Sequence, residues 1–273
     1  MRRVGVMLAV AALAAVILPT PAPAGESGAG AFTLDGTPCS LIPVPAASPA
    51  GTGPCEGVRP GGALETEIGL CTYNFLFRAP DGSRYIGTAG HCILGTSPVA
   101  GSAGEKLWPK GGGPQAKTGG KRVGEFAYAV LESPKDFALI RLDPGVEASP
   151  EMCHFGGPTG IFEGHSPDPT VLEYYGNGVA IGSVLPARSG LAVGVPNPDH
   201  VYALGLALPG DSGSGVISSD GRAVGVLVTT GMHGFGFDEN GVDFGTMGIT
   251  RIAPQIARAS EALGLHLELV TAG

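Results

Sequence analysis

Charge is scarce in this chain. Lys, Arg, Asp and Glu make up 15% of its 273 residues, aromatic side chains 6%, and there is a single tryptophan. Disordered chains carry much charge and few large apolar residues, whereas 43% of this one is hydrophobic. The 47 glycines follow no three-residue period, which excludes a collagen helix. Stretches rich in Ala, Glu, Lys and Leu at helical spacing are few, so long helices and coiled coils are excluded as well. No C-x-x-C pair occurs, so the cysteines match no zinc pattern. No internal repeat of fixed period is visible. What remains, with 24 prolines among the glycines, is a globular chain of short strands and turns.

The N-terminus reads as an export signal. Arg2 and Arg3 precede an apolar stretch from Val4 to Leu18, and Ala22-Pro23-Ala24 offers small residues for cleavage. That stretch falls short of the ~20 residues a membrane span needs. Removing 1–24 leaves 14 basic and 24 acidic residues, a net charge of −10. So acidic a surface repels phosphate backbones and anionic lipid, which disfavours nucleic-acid and membrane partners. The five cysteines, Cys39, Cys55, Cys71, Cys92 and Cys153, fit an oxidising compartment, with one thiol left over after two bridges. The expectation is a secreted, extracellular monomer.

Residues 25–66 are dominated by Gly, Ala, Pro and Ser and read as an extended arm or pro-segment. From Ile68 the texture changes. Cys71–Phe77 reads as one strand, and Ala79-Pro80-Asp81-Gly82 turns it onto Arg84–Thr88. Further strands are expected over 122–131, 137–142, 171–175, 178–184, 200–206, 215–217, 223–229 and 245–249. A helix is expected from Ala253 to Leu263, from the spacing of Ile252, Ile256, Ala259 and Leu263. The glycine-rich stretch 109–121 has no G-K-[ST] closing a phosphate-loop frame and reads as a flexible surface loop. Asp238–Asp243 is an acidic turn without the spacing of a calcium loop. His165, His200, His233 and His266 have no metal-like spacing. No metal and no cofactor are expected.

Three segments carry chemistry: Thr88-Ala89-Gly90-His91-Cys92, Asp136-Phe137-Ala138-Leu139-Ile140 and Gly210-Asp211-Ser212-Gly213-Ser214-Gly215. Each alone has a bland reading: a strand-end histidine, a turn acid, a glycine turn. Together they supply a nucleophilic hydroxyl, a base to take its proton and an acid to hold the imidazole. Glycines beside Ser212 let a tight turn present Oγ while the amides of Gly210 and Ser212 face one space, where an oxyanion would form. The order His, Asp, Ser along the chain is one arrangement of such a triad.

These segments resemble the chymotrypsin/trypsin-like serine peptidase family, marked by T-A-[AG]-H-C, D-[IFY]-A-[LV]-[LI] and G-D-S-G-[GS], over about residues 66–262. The secreted bacterial, streptogrisin-like members are most similar, through Cys71-Thr72-Tyr73-Asn74-Phe75 and through Cys153–Gly160. The resemblance implies an all-β fold of two six-stranded antiparallel barrels, 67–150 and 151–273, with a C-terminal helix and the site in the crevice between them. It implies His91 as general base and acid, Asp136 as its orienting group, Ser212 as nucleophile and the Gly210 and Ser212 amides as oxyanion hole. It implies a Cys71–Cys92 bridge.

Departures from the family pattern are plain. No I-V-G-G stretch precedes Cys71, so no clip-generated amine is expected to pair with Asp211. Bacterial members carry an arginine just after the cysteine of C-x-x-G-x-x-T-G, where this chain has His154; either protonated His154 or an arginine such as Arg188 then neutralises Asp211. Cys153 lacks its usual partner ten residues on, so it bridges to Cys39 or Cys55, or stays a thiol while those two pair. Leu206, six residues before Ser212, replaces the acid of members that select Lys or Arg. The strand ending Val228-Thr229-Thr230 is expected to flank the substrate backbone, with Val228 or Thr229 where the family has serine. The implied activity is a serine endopeptidase acting through an acyl-enzyme, cutting peptides or proteins after apolar or small residues. The alternatives are a catalytically idle barrel that binds a partner and an esterase of the same fold.

Overall fold

The computed structural model describes residues 55–95, 102–132, 134–163, 171–179, 184–193, 197–230 and 246–272. All of them belong to one compact unit, Ile42–Gly273. The export signal, Cys39, His165, His233 and the acidic turn at 238–243 lie outside the described residues.

The first half of the chain contributes eight strands to a nine-stranded sheet, the ninth coming from the C-terminal end of the chain. The eight are β1 (Ala63–Thr66), β2 (Gly69–Thr72), β3 (Leu76–Arg78), β4 (Arg84–Thr88), β5 (Ser102–Leu107), β6 (Gln115–Thr118), β7 (Lys121–Glu132) and β8 (Lys135–Leu142), with a short helix α1 (His91–Leu94) after β4. Their hydrogen-bonded order runs β3-β4-β8-β7-β6-β1-β2, with β5 added on β7. The expected single strand 71–77 is split: β1 takes β2, β4 takes β3, and Tyr73–Phe75 turns between them. Asn74 N–H still donates to Gly87 O (2.8 Å) and Gly87 N–H to Phe75 O (3.0 Å), so backbone pairing with β4 continues through the break. Over the described residues the ladder does not close as a barrel by pairing; β2 ends it on one side, and β3, the next strand in the chain, lies toward the other.

The second half closes fully. Strands β9 (Val171–Tyr175), β10 (Ala187–Val193), β11 (His200–Leu204), β12 (Gly215–Ser218), β13 (Ala223–Thr230) and β14 (Thr246–Arg251) form a barrel in the order β10-β11-β14-β13-β12-β9. Helix α2 (Ile252–Leu263) follows, and β15 (Glu268–Leu269) returns to pair with β3. The expected helix is present, starting one residue earlier. Its Ile252, Ile256 and Ala259 are buried against the first sheet's core, and Gly264 ends it in the left-handed conformation.

Each half has its own apolar centre. Phe75, Phe77, Phe126, Phe137, Leu139 and Ile140 fill the first, and Leu172, Val216, Leu227, Met247 and Ile249 the second. Burying one such side chain contributes about 1.5–3 kcal/mol, so the two centres hold the strands that flank the site. A disulfide joins Cys55 to Cys153 across 98 residues. Residues 55–66, read in sequence as arm, thus include a tethered cysteine and a paired strand. The stretch read as a surface loop at 109–121 contains β6, and 178–184 contributes no strand over its described residues. Among the described residues no helix is long and apolar enough to cross a membrane.

Candidate active site

His91 opens α1 directly after β4, and Asp136 stands at the start of β8, which pairs with β4. Adjacent strands therefore deliver the two side chains to one edge. One carboxylate oxygen, Oδ1, accepts the backbone N–H of His91 at 2.9 Å, and Oδ2 lies 2.7 Å from Nδ1. A carboxylate can only accept, so Nδ1 carries a proton and, in the neutral ring, Nε2 presents the lone pair away from the acid. Both side chains are mostly buried, 12% and 14% exposed, which keeps water from loosening the contact.

Ser212 sits on the tight turn between β11 and β12. Gly213 has φ +90°, and a Cβ there would lie 2.2 Å from Thr88 Oγ1 and 2.4 Å from Thr72 O, so only glycine lets the turn press against β2 and β4. Gly210 has φ +101°. The Ser212 carbonyl accepts the Thr72 N–H (2.9 Å) and lies 3.8 Å from Sγ of Cys92, the residue after His91. Cys92 is bridged to Cys71, the pairing implied in sequence. Through these contacts the turn, His91 and Asp136 share one place on the surface. Among the described residues Ser212 Oγ makes no hydrogen bond, to His91 or to any other group.

The turn uses its amides selectively. Leu208 N–H donates to Asp211 Oδ2, Asp211 N–H to Leu208 O, Gly213 N–H to Leu227 O and Ser214 N–H to Asp211 O. The N–H groups of Gly210 and Ser212 have no partner among the described residues. Two neighbouring donors without partners, in a turn where the other amides are satisfied, are able to receive a developing negative charge.

Asp211 is wholly buried and held by four donors. Arg188 on β10 grips it two-handed, NH1 to Oδ2 at 2.6 Å and NH2 to Oδ1, while Gly178 N–H adds 2.7 Å to Oδ1 and Leu208 N–H 2.8 Å to Oδ2. The guanidinium stacks 5.0 Å over the Tyr174 ring. Burial raises the Tyr174 hydroxyl above its ordinary range, so it stays protonated and donates to Leu206 O. Of the two candidates for the counter-charge, Arg188 fills the role and His154 does not. His154 instead packs edge-on against Phe155, with φ +69°.

Of the residues expected around the pocket, Leu206 is 44% exposed, with its carbonyl bonded by Tyr174 and Arg188 NH1 (3.4 Å). Val228 lies at a bulge of β13 and packs half-buried against the first core. Thr229 and Thr230 finish β13, but their side chains lie outside the described residues. Ligand atoms of Cys71, His91 and Cys92 come within 4.8 Å of one another, yet both sulfurs are spent in the bridge and offer no thiolate to a metal. Three residues of the site escaped the reading of the sequence: Thr72, Tyr174 and Asn177. None belongs to a chemical motif, and only contacts expose them.

No family model matches the chain, and no curated protein matches it in sequence. Solved structures do. Thermobifida fusca protease A superposes with a TM-score of 0.53 at 18% identity, over 78% of this chain and 98% of that one. Nocardiopsis protease gives 0.51 at 21% identity, covering 79% and 99%. A glutamic-acid-specific serine protease whose substrate binding uses a histidine triad gives 0.50 at 19%, covering 76% and 98%. At these identities the likeness establishes the fold, which is chymotrypsin-like.

Proposed function

We propose that the protein is a serine endopeptidase of the streptogrisin-like kind, with His91, Asp136 and Ser212 as its triad. The observation that carries this is the imidazole of His91, held at both its backbone and its ring by one carboxylate beside the turn that carries Ser212. With Nδ1–H fixed on Asp136, Nε2 is the basic atom that takes the Ser212 proton as Oγ attacks a substrate carbonyl. Catalytic contacts of this type often tighten only once substrate is bound, so an unbonded Oγ is a nucleophile at rest. The Gly210 and Ser212 amides then hold the oxyanion, and the protonated imidazole gives its proton to the leaving amine. Water repeats the sequence on the acyl-enzyme.

Substrates are peptides or proteins. Apolar Leu206 and Val228 near the turn favour an apolar or small side chain before the scissile bond, since a basic one would be buried without a counter-charge. Because Arg188 occupies Asp211, the turn needs no newly cut amine to neutralise it. Residues 1–24 serve export, the two disulfides suit an extracellular site, and the protein acts as a monomer of two halves divided near residue 150, with β1 in the first half and β15 returning to it.

The test is turnover of peptide and ester substrates by wild type, Ser212→Ala, His91→Ala and Asp136→Asn. Peptide hydrolysis lost by a factor of about 10⁴ or more in each supports the reading. Ester turnover without peptide turnover points to an esterase, and no turnover of either points to a binding protein.

A further inference from the structure

Thr72 has a density of polar contacts that a plain strand residue does not need. It is completely buried at the end of β2, and each of its polar groups reaches a different part of the site. Its N–H holds Ser212 O at 2.9 Å, and its C=O accepts Thr88 Oγ1 at 3.0 Å, three residues before His91. Its hydroxyl donates to Gly210 O at 2.8 Å and accepts both the backbone N–H and the Nδ2–H of Asn177, each at 3.1 Å. A hydroxyl offers one donor and two acceptor positions, so this one is saturated. The second proton of Asn177 Nδ2 goes to Gly61 O at 2.8 Å. The strut therefore runs from the segment before β1, through Asn177 and Thr72, to the turn that carries Ser212.

We infer that Thr72, braced by Asn177, is a positioning residue for the oxyanion-binding amides. The inference rests on the acyl-transfer reading above. Gly210 adopts φ +101°, a conformation glycine alone holds easily and which it can also leave easily. Anchoring the Gly210 carbonyl fixes the peptide plane beyond Cα, and the backbone of Asn177 closes the space behind it, since a Cβ on Gly210 would meet Asn177 O at 2.7 Å. The Gly210 N–H is thereby aimed before substrate arrives. Aim of this kind is worth most in the transition state, when the carbonyl oxygen carries charge, and little for ground-state binding.

The experiment compares wild type, Thr72→Val, Thr72→Ser and Asn177→Ala for the rate of labelling by a fluorophosphonate, for kcat and KM on a peptide ester, and for amide hydrogen exchange across residues 206–214. Thr72→Val keeps the shape and removes the hydroxyl. Labelling and kcat are expected to fall about 10- to 100-fold, below the roughly 10²–10³ lost with an outright oxyanion donor, while KM moves less than about threefold. Thr72→Ser recovers most of the loss, and Asn177→Ala shows a smaller fall in the same direction, serving also if Thr72→Val does not fold. Exchange in 206–214 quickens in Thr72→Val and not in Thr72→Ser. Labelling of Thr72→Val within about twofold of wild type overturns the inference and leaves the peptidase reading standing. If wild type does not label at all, the peptidase reading fails. Exchange then judges the strut alone: unchanged exchange in Thr72→Val overturns it, and faster exchange upholds it as a brace of the turn.

Discussion

Replacing Arg188 by methionine asks how much of the site depends on one buried ion pair. The side chains of Arg188 and Asp211 are 6% and 0% exposed, and the carboxylate takes two of its four hydrogen bonds from the guanidinium. Methionine fills much of the volume but leaves a buried charge answered only by the N–H groups of Gly178 and Leu208. Removing one partner of a buried pair costs about 3–5 kcal/mol, a large share of the 5–15 kcal/mol by which a domain is stable. For a protein of this size that is a fall in Tm of about 6–20 °C. The Asp211 side chain is also what ties Leu208 and Gly178 to the Ser212 turn, so reactivity should fall even well below the new Tm. Adding Asp211→Asn to Arg188→Met removes the stranded charge and should recover part of the stability without restoring reactivity. Thermal melts and denaturant titrations of the three variants decide it. A loss under about 1 kcal/mol in Arg188→Met would refute the claim that this pair holds the turn.

Three further outcomes follow from the same contacts. Gly213→Ala should fold poorly or lose nearly all activity, because its Cβ meets Thr88 Oγ1 and Thr72 O at φ +90°; wild-type kinetics in a stable variant would contradict this. Alanine pairs at the two disulfides should behave oppositely. Loss of Cys55–Cys153, which closes the longer loop, costs up to about 5 kcal/mol against about 3 for Cys71–Cys92, whereas loss of the latter slows catalysis more, since Cys92 adjoins His91 and touches Ser212 O. Burial raises the Glu173 carboxyl above its ordinary range, with His154 opposing, so the folded state holds that proton more tightly than the unfolded one. Its stabilising effect is complete below the ordinary glutamate pKa of about 4.3 and is lost as pH rises through the folded value. Glu173→Gln should therefore match wild type near pH 4 and melt progressively higher than it toward pH 7, and a gap independent of pH would argue otherwise.

The candidate triad was legible in the sequence because its residues cluster in short, ordered motifs. His91, Asp136 and Ser212 could be named from their neighbours, and strands such as 171–175 stood out by their apolar and aromatic content. Strand β10 did not, since Ala187-Arg188-Ser189-Gly190 has little β-propensity and earns its place by pairing with β9 and β11. The counter-charge of Asp211 could be narrowed to His154 or Arg188 but not chosen, because the choice depends on the register that sets Arg188 opposite Tyr174. Cys153 found Cys55 for the same reason: a contact across 98 residues leaves no local trace. Thr72 and Asn177 lie outside any chemical motif, and their roles exist only in three dimensions.

The central claim, that Ser212 is a nucleophile activated by His91 and Asp136, is tested most directly by treating the purified protein with a fluorophosphonate and mapping the adduct by mass spectrometry. One adduct on Ser212, absent in Ser212→Ala and slowed by orders of magnitude in His91→Ala, is the predicted result. An unmodified wild-type protein, or an adduct carried by another residue, would contradict it.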